Sequence, residues 1–429
     1  MSLRRLAHLF LLCLVVAFAG GCSKSNSGSS SAQVRFMNAL VDSSPITISV
    51  GSNTPVTGLP FEGVTGYDQV DAGTQEFKVS VAGGTSTIID TTLPLNGDAL
   101  YTYVVYGTAS APLAQLIVDQ VPTAPNSGQF VLRVTNAAFG TAALDVYITA
   151  PGAPLDNASP NISNVAFNGS SPFATLTPGS FQIRFTLANS KQVIYDAGQL
   201  PFVNQGSYQM IAYTKGSGTL VNAALMNVDS SGAAAIVNSK IAQLKMVAAA
   251  PGTAVINTFV DSVVAFANVP YQGASSYSVF AAGTHNVTAE SAATPGAVIA
   301  SAQPPFAPAT DTSFVVTGTP GAQTALVLND NNLPGAANGA RVRFVNVASN
   351  LGAVDVLVNF ALKVAGLGTN AASSYVAFTQ DVYSINFDLA GTTNVVLSMP
   401  AVEFDAGHTY TLYLVGTGNQ LAGVLTRDD

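Results

Sequence analysis

Cysteine is nearly missing: the 429 residues contain two, Cys13 and Cys22, both close to the N-terminus. The body of the chain therefore has no disulfide and no cysteine metal site, and must hold together by packing and strand pairing. Tryptophan is absent, which removes the largest apolar face available for stacking on a sugar. Histidine occurs three times, and only His285 and His408 lie beyond the leader segment. Charged residues make up only 9%, with 15 basic against 23 acidic and a net charge of −8. Removal of Arg4 and Arg5 with the leader makes the balance more acidic still, so no basic face is offered to nucleic acid or to an anionic lipid surface. The Gly-x-Ser-x-Gly elbow, the phosphate loop and the His-Glu-x-x-His zinc motif are missing as well. Hydrophobic residues, by contrast, reach 48%. That is ample for real cores, and it leaves the surface to Ser, Thr, Asn, Gln and Gly.

The N-terminus reads as a lipoprotein signal peptide, residues 1–21. Arg4 and Arg5 form its positive end, and the apolar run from Leu9 to Ala19 is too short for a membrane-spanning helix, which needs roughly 20 apolar residues. The run ends in Ala19-Gly-Gly-Cys22. This resembles the bacterial lipobox, and the resemblance implies diacylglyceryl transfer to the Cys22 sulfur, cleavage before it and N-acylation. The expected partner is then a membrane, reached through the lipid on Cys22. Ser23 rather than Asp at the following position makes the outer membrane the default address, with the side the protein faces left open. Residues 22–32 are a Ser-rich tether unable to bury apolar area, with an r.m.s. span of roughly 17 Å.

Beyond the tether one pattern occurs four times. Its openings are Val34-Arg-Phe-Met-Asn38, Val131-Leu-Arg-Val-Thr-Asn136, Leu244-Lys-Met-Val247 and Arg341-Val-Arg-Phe-Val-Asn346. Each copy closes on a Tyr- or Phe-led apolar run containing Gly107, Gly216, Gly318 or Gly416, about one hundred residues apart. That period suits a domain array rather than a solenoid of roughly 20–50-residue repeats. Gly73, Gly179 and Gly283 supply a second anchor. Gln380-Asp381 stands in that place in the fourth copy, which predicts a different turn there. Hydrophobic and polar residues alternate within each copy, as in half-buried strands. Breaker-rich stretches such as Pro122-Thr-Ala-Pro-Asn-Ser-Gly128 separate the copies.

The expected fold is all-β: four tandem antiparallel β-sandwich, immunoglobulin-like domains at 33–121, 129–229, 241–330 and 340–429. A helical turn or two is one reading of 233–245, the other being a direct run into the third copy's first strand. Four domains in a row would reach well over roughly 100 Å, and far less if folded back on each other.

The opening Arg-x-Phe-x-Asn, the strands Leu144-Asp-Val-Tyr-Ile148 and Val354-Asp-Val-Leu-Val358, and the closing Tyr-Thr…Gly-Thr resemble a bacterial extracellular family catalogued as domain of unknown function 4397. The resemblance implies β-sandwiches on the cell envelope and carries over no catalytic residue.

Candidate chemistry is thin. His285 and His408 fall in different copies next to strand starts. Glu403 with Asp405, two apart and so on one strand face, is the nearest candidate for the paired carboxylates of glycoside hydrolysis, but it reads more simply as a solvated loop before the Tyr410 strand, and Asp68 with Asp71 reads the same way. Asp330-Asn331-Asn332 offers a few oxygens toward a calcium site that needs six to eight, or an ordinary turn. Tyr67, Phe173, Tyr277 and Tyr375 recur at matching places, as sugar-stacking faces or, more simply, as core. The expectation is a non-enzymatic envelope protein with a structural, adhesive or presenting role, without cofactor, catalytic residue or metal ligand. The alternative is a module binding a glycan or another envelope protein.

Overall fold

The computed structural model describes residues 30–429 apart from 85, 122, 230 and 336–337. Cys13, Cys22, the expected leader and most of the tether lie outside the described residues. Every named element is a strand. In the segment 233–245, strands Ala234–Val237 and Ile241–Ala248 replace the helical alternative.

The first copy sets the plan with β1 (Ser31–Val41), β2 (Ile46–Val50), β3 (Asn53–Leu59), β4 (Asp68–Asp71), β5 (Gly73–Val81), β6 (Thr87–Leu95), β7 (Leu100–Thr108) and β8 (Ala111–Val118). One sheet runs β4-β1-β7-β8 and the other β3-β2-β5-β6. In β2 the β-branched Ile46, Ile48 and Val50 are buried while Thr47 and Ser49 are half-buried, the period-2 pattern of a strand with one covered face. Val34, Phe36, Tyr101 and Tyr103 from one sheet meet Ile46, Ile48, Phe77 and Val79 from the other in a single core. The same strand order returns in three further copies, each over its own core. In the second copy the counterpart of β3 shrinks to Ile162–Val165, and an added edge strand carries the copy past residue 229 to Val237. At the other end of the chain β1 starts at Ser31, so the last two residues expected in the tether are strand, with Ala32 inside the core.

Two expectations need correction. The sheets are not purely antiparallel: β1 pairs with β7 in parallel, and the three counterpart pairs do the same. A chain that leaves one sheet, builds the other and returns is free of the hairpin constraint that forces antiparallel neighbours. Nor are all strands half-buried. β7 is buried at eight of its nine positions, and Phe130–Ala137, the second copy's counterpart of β1, is buried throughout. The reason is a second layer of packing. Met37, Ala39, Val104, Tyr106 and Ile117 point away from their own core and meet Ala137, Ile211, Tyr213, Ala224 and Met226 of the second copy. Val247, Ala249, Val315 and Leu328 meet Val345, Val347, Tyr413 and Val415 in the same way across the third and fourth. The copies thus pack in two face-to-face pairs, and each fully buried large apolar side chain in such a seam contributes about 1.5–3 kcal/mol. Asp42 of the first copy lies 3.4 Å from Arg341 of the fourth, so the array is folded back rather than strung out.

The repeated asparagine has a local task. Asn346 is fully buried; its amide donates to Gly352 O at 2.9 Å and Leu367 O at 3.0 Å, while its Oδ1 accepts from Ala348 N at 3.2 Å. It satisfies the backbone where the chain crosses between sheets, as Asn38 and Asn136 do. The third copy has Ala248 at this place. Asn346→Ala orphans several buried backbone groups and is expected to cost about 2–4 kcal/mol in a urea titration. A change below about 0.5 kcal/mol would show that the asparagine only fills space.

The glycines of the closing strands are demanded by geometry. Gly416 has φ +109°, and a Cβ there would lie 2.0 Å from Gln420 O. The second glycine anchor divides the copies: Gly73 and Gly283 have φ +103° and +141°, whereas Gly179 and Asp381, which pair alike with Phe202 and Phe404, are not in the left-handed region. The turn at Gln380-Asp381 thus differs, as expected, from those of the first and third copies, and follows the second.

Candidate functional site

The basic residue of each opening motif points out of its own core into the seam between paired copies, and all four are buried: Arg35, Arg133, Lys245 and Arg343. Strand alternation puts them there, because their neighbours Val34 and Phe36, or Val342 and Phe344, face the sandwich interior. Facing them are carboxylates one residue past the last strand or at its end. Asp330 of the third copy binds Arg343 of the fourth at 2.6 Å, and Asp428 of the fourth binds Lys245 of the third. The exchange is reciprocal. Ser313 and Tyr277 hydroxyls donate to Asp330 at 2.6 Å each, and Thr411 donates to Asp428.

The first pair departs from this symmetry. Asp119 forms an ion pair at 3.0 Å with Arg35 of its own copy and lies 3.5 Å from Arg133 of the second. Tyr67 donates to it at 2.8 Å, and Thr102 donates as well. The reciprocal position in the second copy is Val228: its backbone N donates to Ser207 O as Asp119 N donates to Leu100 O and Asp428 N to Thr409 O. One carboxylate therefore serves two guanidiniums. Arg35 also donates to Asn227 O at 2.9 Å, and Arg133 to Val118 O at 2.8 Å and to Gln209. Burial lowers the Arg133 guanidinium from its ordinary value, against the pull of Asp119 and with the push of Arg35.

The recurrent aromatics complete the arrangement. Tyr67 lies 4.9 Å from the Arg35 guanidinium carbon, Phe173 4.7 Å from that of Arg133, Tyr277 5.0 Å from the Lys245 nitrogen and Tyr375 5.1 Å from the Arg343 guanidinium carbon. Each ring thus has a cation over one face, which is a structural use. Two residues before each ring, Thr65, Ser171, Ser275 or Ser373 accepts a backbone N–H of the first strand and donates to the next carbonyl. This repeated hydroxyl sets where the ring lies over the cation.

These groups are poor catalysts. Burial, then the charge of Asp119, holds the Tyr67 phenol far above its ordinary value; burial and Asp330 do so for Tyr277. Burial alone would lower Lys245, but Tyr413, Asp428 and Asp330 outweigh it and raise the amine. Neither of these phenols nor the Lys245 amine is poised to exchange a proton near neutrality.

The other sequence candidates stay apart. His285 Nδ1 is 2.6 Å from Asp261 and its Nε2 2.9 Å from Ala281 O, so both ring nitrogens are engaged. His408, in the fourth copy, lies 2.9 Å from Asp429 of the same copy. Glu403 and Asp405 are exposed, and Asp68 and Asp71 lie on the edge strand β4. In Asp330-Asn-Asn332 the carboxylate is spent on Arg343, and the Asn332 amide donates to Asp311 at 2.8 Å and Tyr277 at 2.9 Å. Among the described residues no group of three or more His, Cys, Asp or Glu is arranged to hold a metal ion. The four buried cations went unnoticed in the sequence, although a basic residue at one fixed place among apolar neighbours in every copy was their signal.

A family model described as a domain of unknown function (DUF4397) matches residues 32–147 and 242–357, together more than half of the chain. Each match runs from one copy into the next, and the two begin at equivalent first strands. No curated protein matches the chain. Among solved structures, a family 26 carbohydrate-binding module of Eubacterium rectale in complex with maltoheptaose is 15% identical, covering 43% of this chain and 91% of its own, with a TM-score of 0.15. The Bacillus anthracis TIE protein is 9% identical over 87% of this chain and 69% of its own, also at 0.15. Invasin, a bacterial integrin-binding protein, is 10% identical over 86% and 73% at 0.11. TM-scores this low bear on no functional argument.

Proposed function

Because the chain belongs to the DUF4397 family, whose description assigns no activity, we propose a function from its own chemistry: a non-enzymatic, lipid-anchored protein of the cell envelope that presents or spaces a rigid surface. In this reading the four copies are four immunoglobulin-like sandwich domains, and Cys22 carries the lipid that holds them to the outer membrane. The observation that carries the proposal is the fate of the reactive side chains. The buried cations and their carboxylates are consumed in clamping paired copies together, and the two described histidines are tied to local carboxylates. A chain that spends its few charges on rigidity is suited to bearing load or holding a surface in place, and needs no cofactor for it.

Cell fractionation of the Cys22→Ser variant tests the anchor. The wild-type chain is expected in the membrane fraction and the variant in the soluble envelope fraction. Equal membrane retention of the two would refute lipid anchoring. Protease applied to intact cells then decides between a presenting role outside the cell, seen as rapid loss of the last copy, and a periplasmic scaffold, seen as protection.

A further inference from the structure

The hairpin tips of the copies differ in one respect. In the third copy the two turn residues between Val260 and Val263 are Asp261 and Ser262, with φ +49° and +69°, small polar residues in a turn that wants both angles positive. In the first copy the corresponding turn begins with Gly51. In the fourth copy the turn between Val358 and Ala361 is Asn359-Phe360, at φ +47° and +64°. A bulky aromatic in the left-handed region is strained, and glycine is the ordinary occupant of that second position. Phe360 is also 77% exposed, and among the described residues it is the only aromatic so exposed. It gains nothing from its own fold and costs the hairpin stability, so its return must come from something outside the chain.

What adjoins it is a pocket of about 330 Å³ between the edges of the fourth copy's two sheets. Asn359 and Ala361, the residues flanking Phe360, both line it, with Lys363, Phe378, Thr379 and Tyr383. Phe378 and Tyr383 are locked edge-to-face at 5.4 Å, and the Tyr383 hydroxyl donates to Thr379 O at 2.8 Å. The floor is therefore rigid. The lining has an amide, two hydroxyls and one cation, and no carboxylate.

We propose that this tip and pocket bind an oligosaccharide, with the Phe360 ring stacking on the C–H face of a pyranose and Asn359, Thr379 and Lys363 meeting its oxygens. A sugar ring presents one apolar face and a rim of hydroxyls, matching an aromatic beside neutral hydrogen-bonding groups. The set also fits the low charge of the whole surface, which neither requires nor repels a neutral ligand. Leu362 and Val382 are also exposed near the pocket, but a protein partner would call for several large anchors in a broad patch, and the site offers one ring, at the rim of a small polar-edged pocket. The inference deepens the reading of a presented surface by naming what that surface holds. It does not depend on the anchor, because it is tested with purified protein in solution.

The full chain, purified in detergent, is run through gels containing dextran or laminarin as neutral polymers and alginate or hyaluronan as uronate polymers. Retardation in at least one gel is expected, and Phe360→Gly should weaken it at least tenfold. The same variant should melt at the same or a higher temperature, since Asn-Gly is the favoured pair for this turn, so lost binding cannot be ascribed to misfolding. Lys363→Met should weaken retention only by the uronate polymers, which separates a carboxylate-bearing ligand from a neutral one. No retardation by any of the four polymers overturns the proposal, as does retardation that Phe360→Gly leaves unchanged. If Phe360→Gly instead abolishes attachment of cells to a protein-coated surface while no polymer is bound, the tip serves a protein partner and the saccharide assignment is wrong.

Discussion

Replacing Asp119 with asparagine is expected to destabilise the first pair of copies more than any other single charge removal in the molecule. Asp119 is the one carboxylate shared by Arg35 and Arg133, and it is buried, as is Arg35. Removing one partner from a buried ion pair costs about 3–5 kcal/mol because an uncompensated charge is left behind. Here two guanidiniums are stranded, and arginine cannot escape by losing its proton. In the other seam the loss of Asp428 strands Lys245 alone, an amine that can neutralise, while Arg343 keeps Asp330. Asp428→Asn should therefore be the milder change. Urea unfolding of the two variants measures the difference. If Asp119→Asn falls within about 1 kcal/mol of wild type, the cluster is not what holds the seam. The asymmetry supplies a second arm. Val228 occupies the reciprocal position, so Val228→Asp would place a carboxylate beside Arg35 as Asp330 lies beside Arg343. It should restore part of the stability lost in Asp119→Asn, a rescue that an unrelated packing defect would not allow.

How much of this was legible beforehand depended on which interactions are local in sequence. The four-fold recurrence, the strand character and the turn glycines could be read because each is written within a few residues, as at Gly416, whose closing hairpin admits no Cβ. The pairing of copies could not, since it joins Asp330 to Arg343 and Lys245 to Asp428 across copy boundaries. Two signals were nonetheless present. Runs such as Tyr101-Thr-Tyr-Val-Val-Tyr106 are too continuously apolar for a strand with one wet face, and they mark burial on both sides. A basic residue in the middle of four such openings is costly unless its partner is supplied by a neighbour. Asp119, Asp330 and Asp428 stood at the ends of copies, where an acidic turn residue is the ordinary reading. Phe360 was equally silent: in sequence Asn359-Phe360 is one more polar-aromatic step, and only its backbone angle and exposure set it apart.

The joint between the two pairs is expected to strengthen as pH falls, through Asp311. This carboxyl belongs to the third copy and is buried where that copy meets the second and the 331–335 connection. Its Oδ2 accepts from Gly218 N at 3.2 Å and from the Asn332 amide at 2.8 Å, and Asn332 N in turn donates to Gly216 O at 2.6 Å. Its Oδ1 has no hydrogen-bond partner. Asp330 nearby disfavours ionisation further, and the pocket that Asp311 lines also holds the Tyr277 phenol, Asp428 and Asp429, and the cations Lys245 and Arg427, which are paired with those two carboxylates rather than with Asp311. Burial pushes Asp311 up to about 7, against the hydrogen bonds from Ser217 and Asn332. The sign follows from proton binding. A carboxyl raised in the folded state binds its proton more tightly there than in the unfolded chain, where it titrates near 4. Its favourable contribution is complete below about pH 4, declines as pH rises toward about 7, and is absent above that. Between pH 5 and pH 8 the change is about 3 kcal/mol, at roughly 1.4 kcal/mol per unit. Asp311→Asn keeps an acceptor for Gly218 and Asn332 while removing the charge. It should therefore exceed wild type in stability at pH 8 and lose that advantage at pH 5. Urea titrations of both proteins across this range decide the matter, because other acidic groups titrate identically in each and cancel in the difference. Parallel stability profiles would mean that Asp311 ionises in the folded chain as freely as in water, and that the joint is not sensitive to pH by this route.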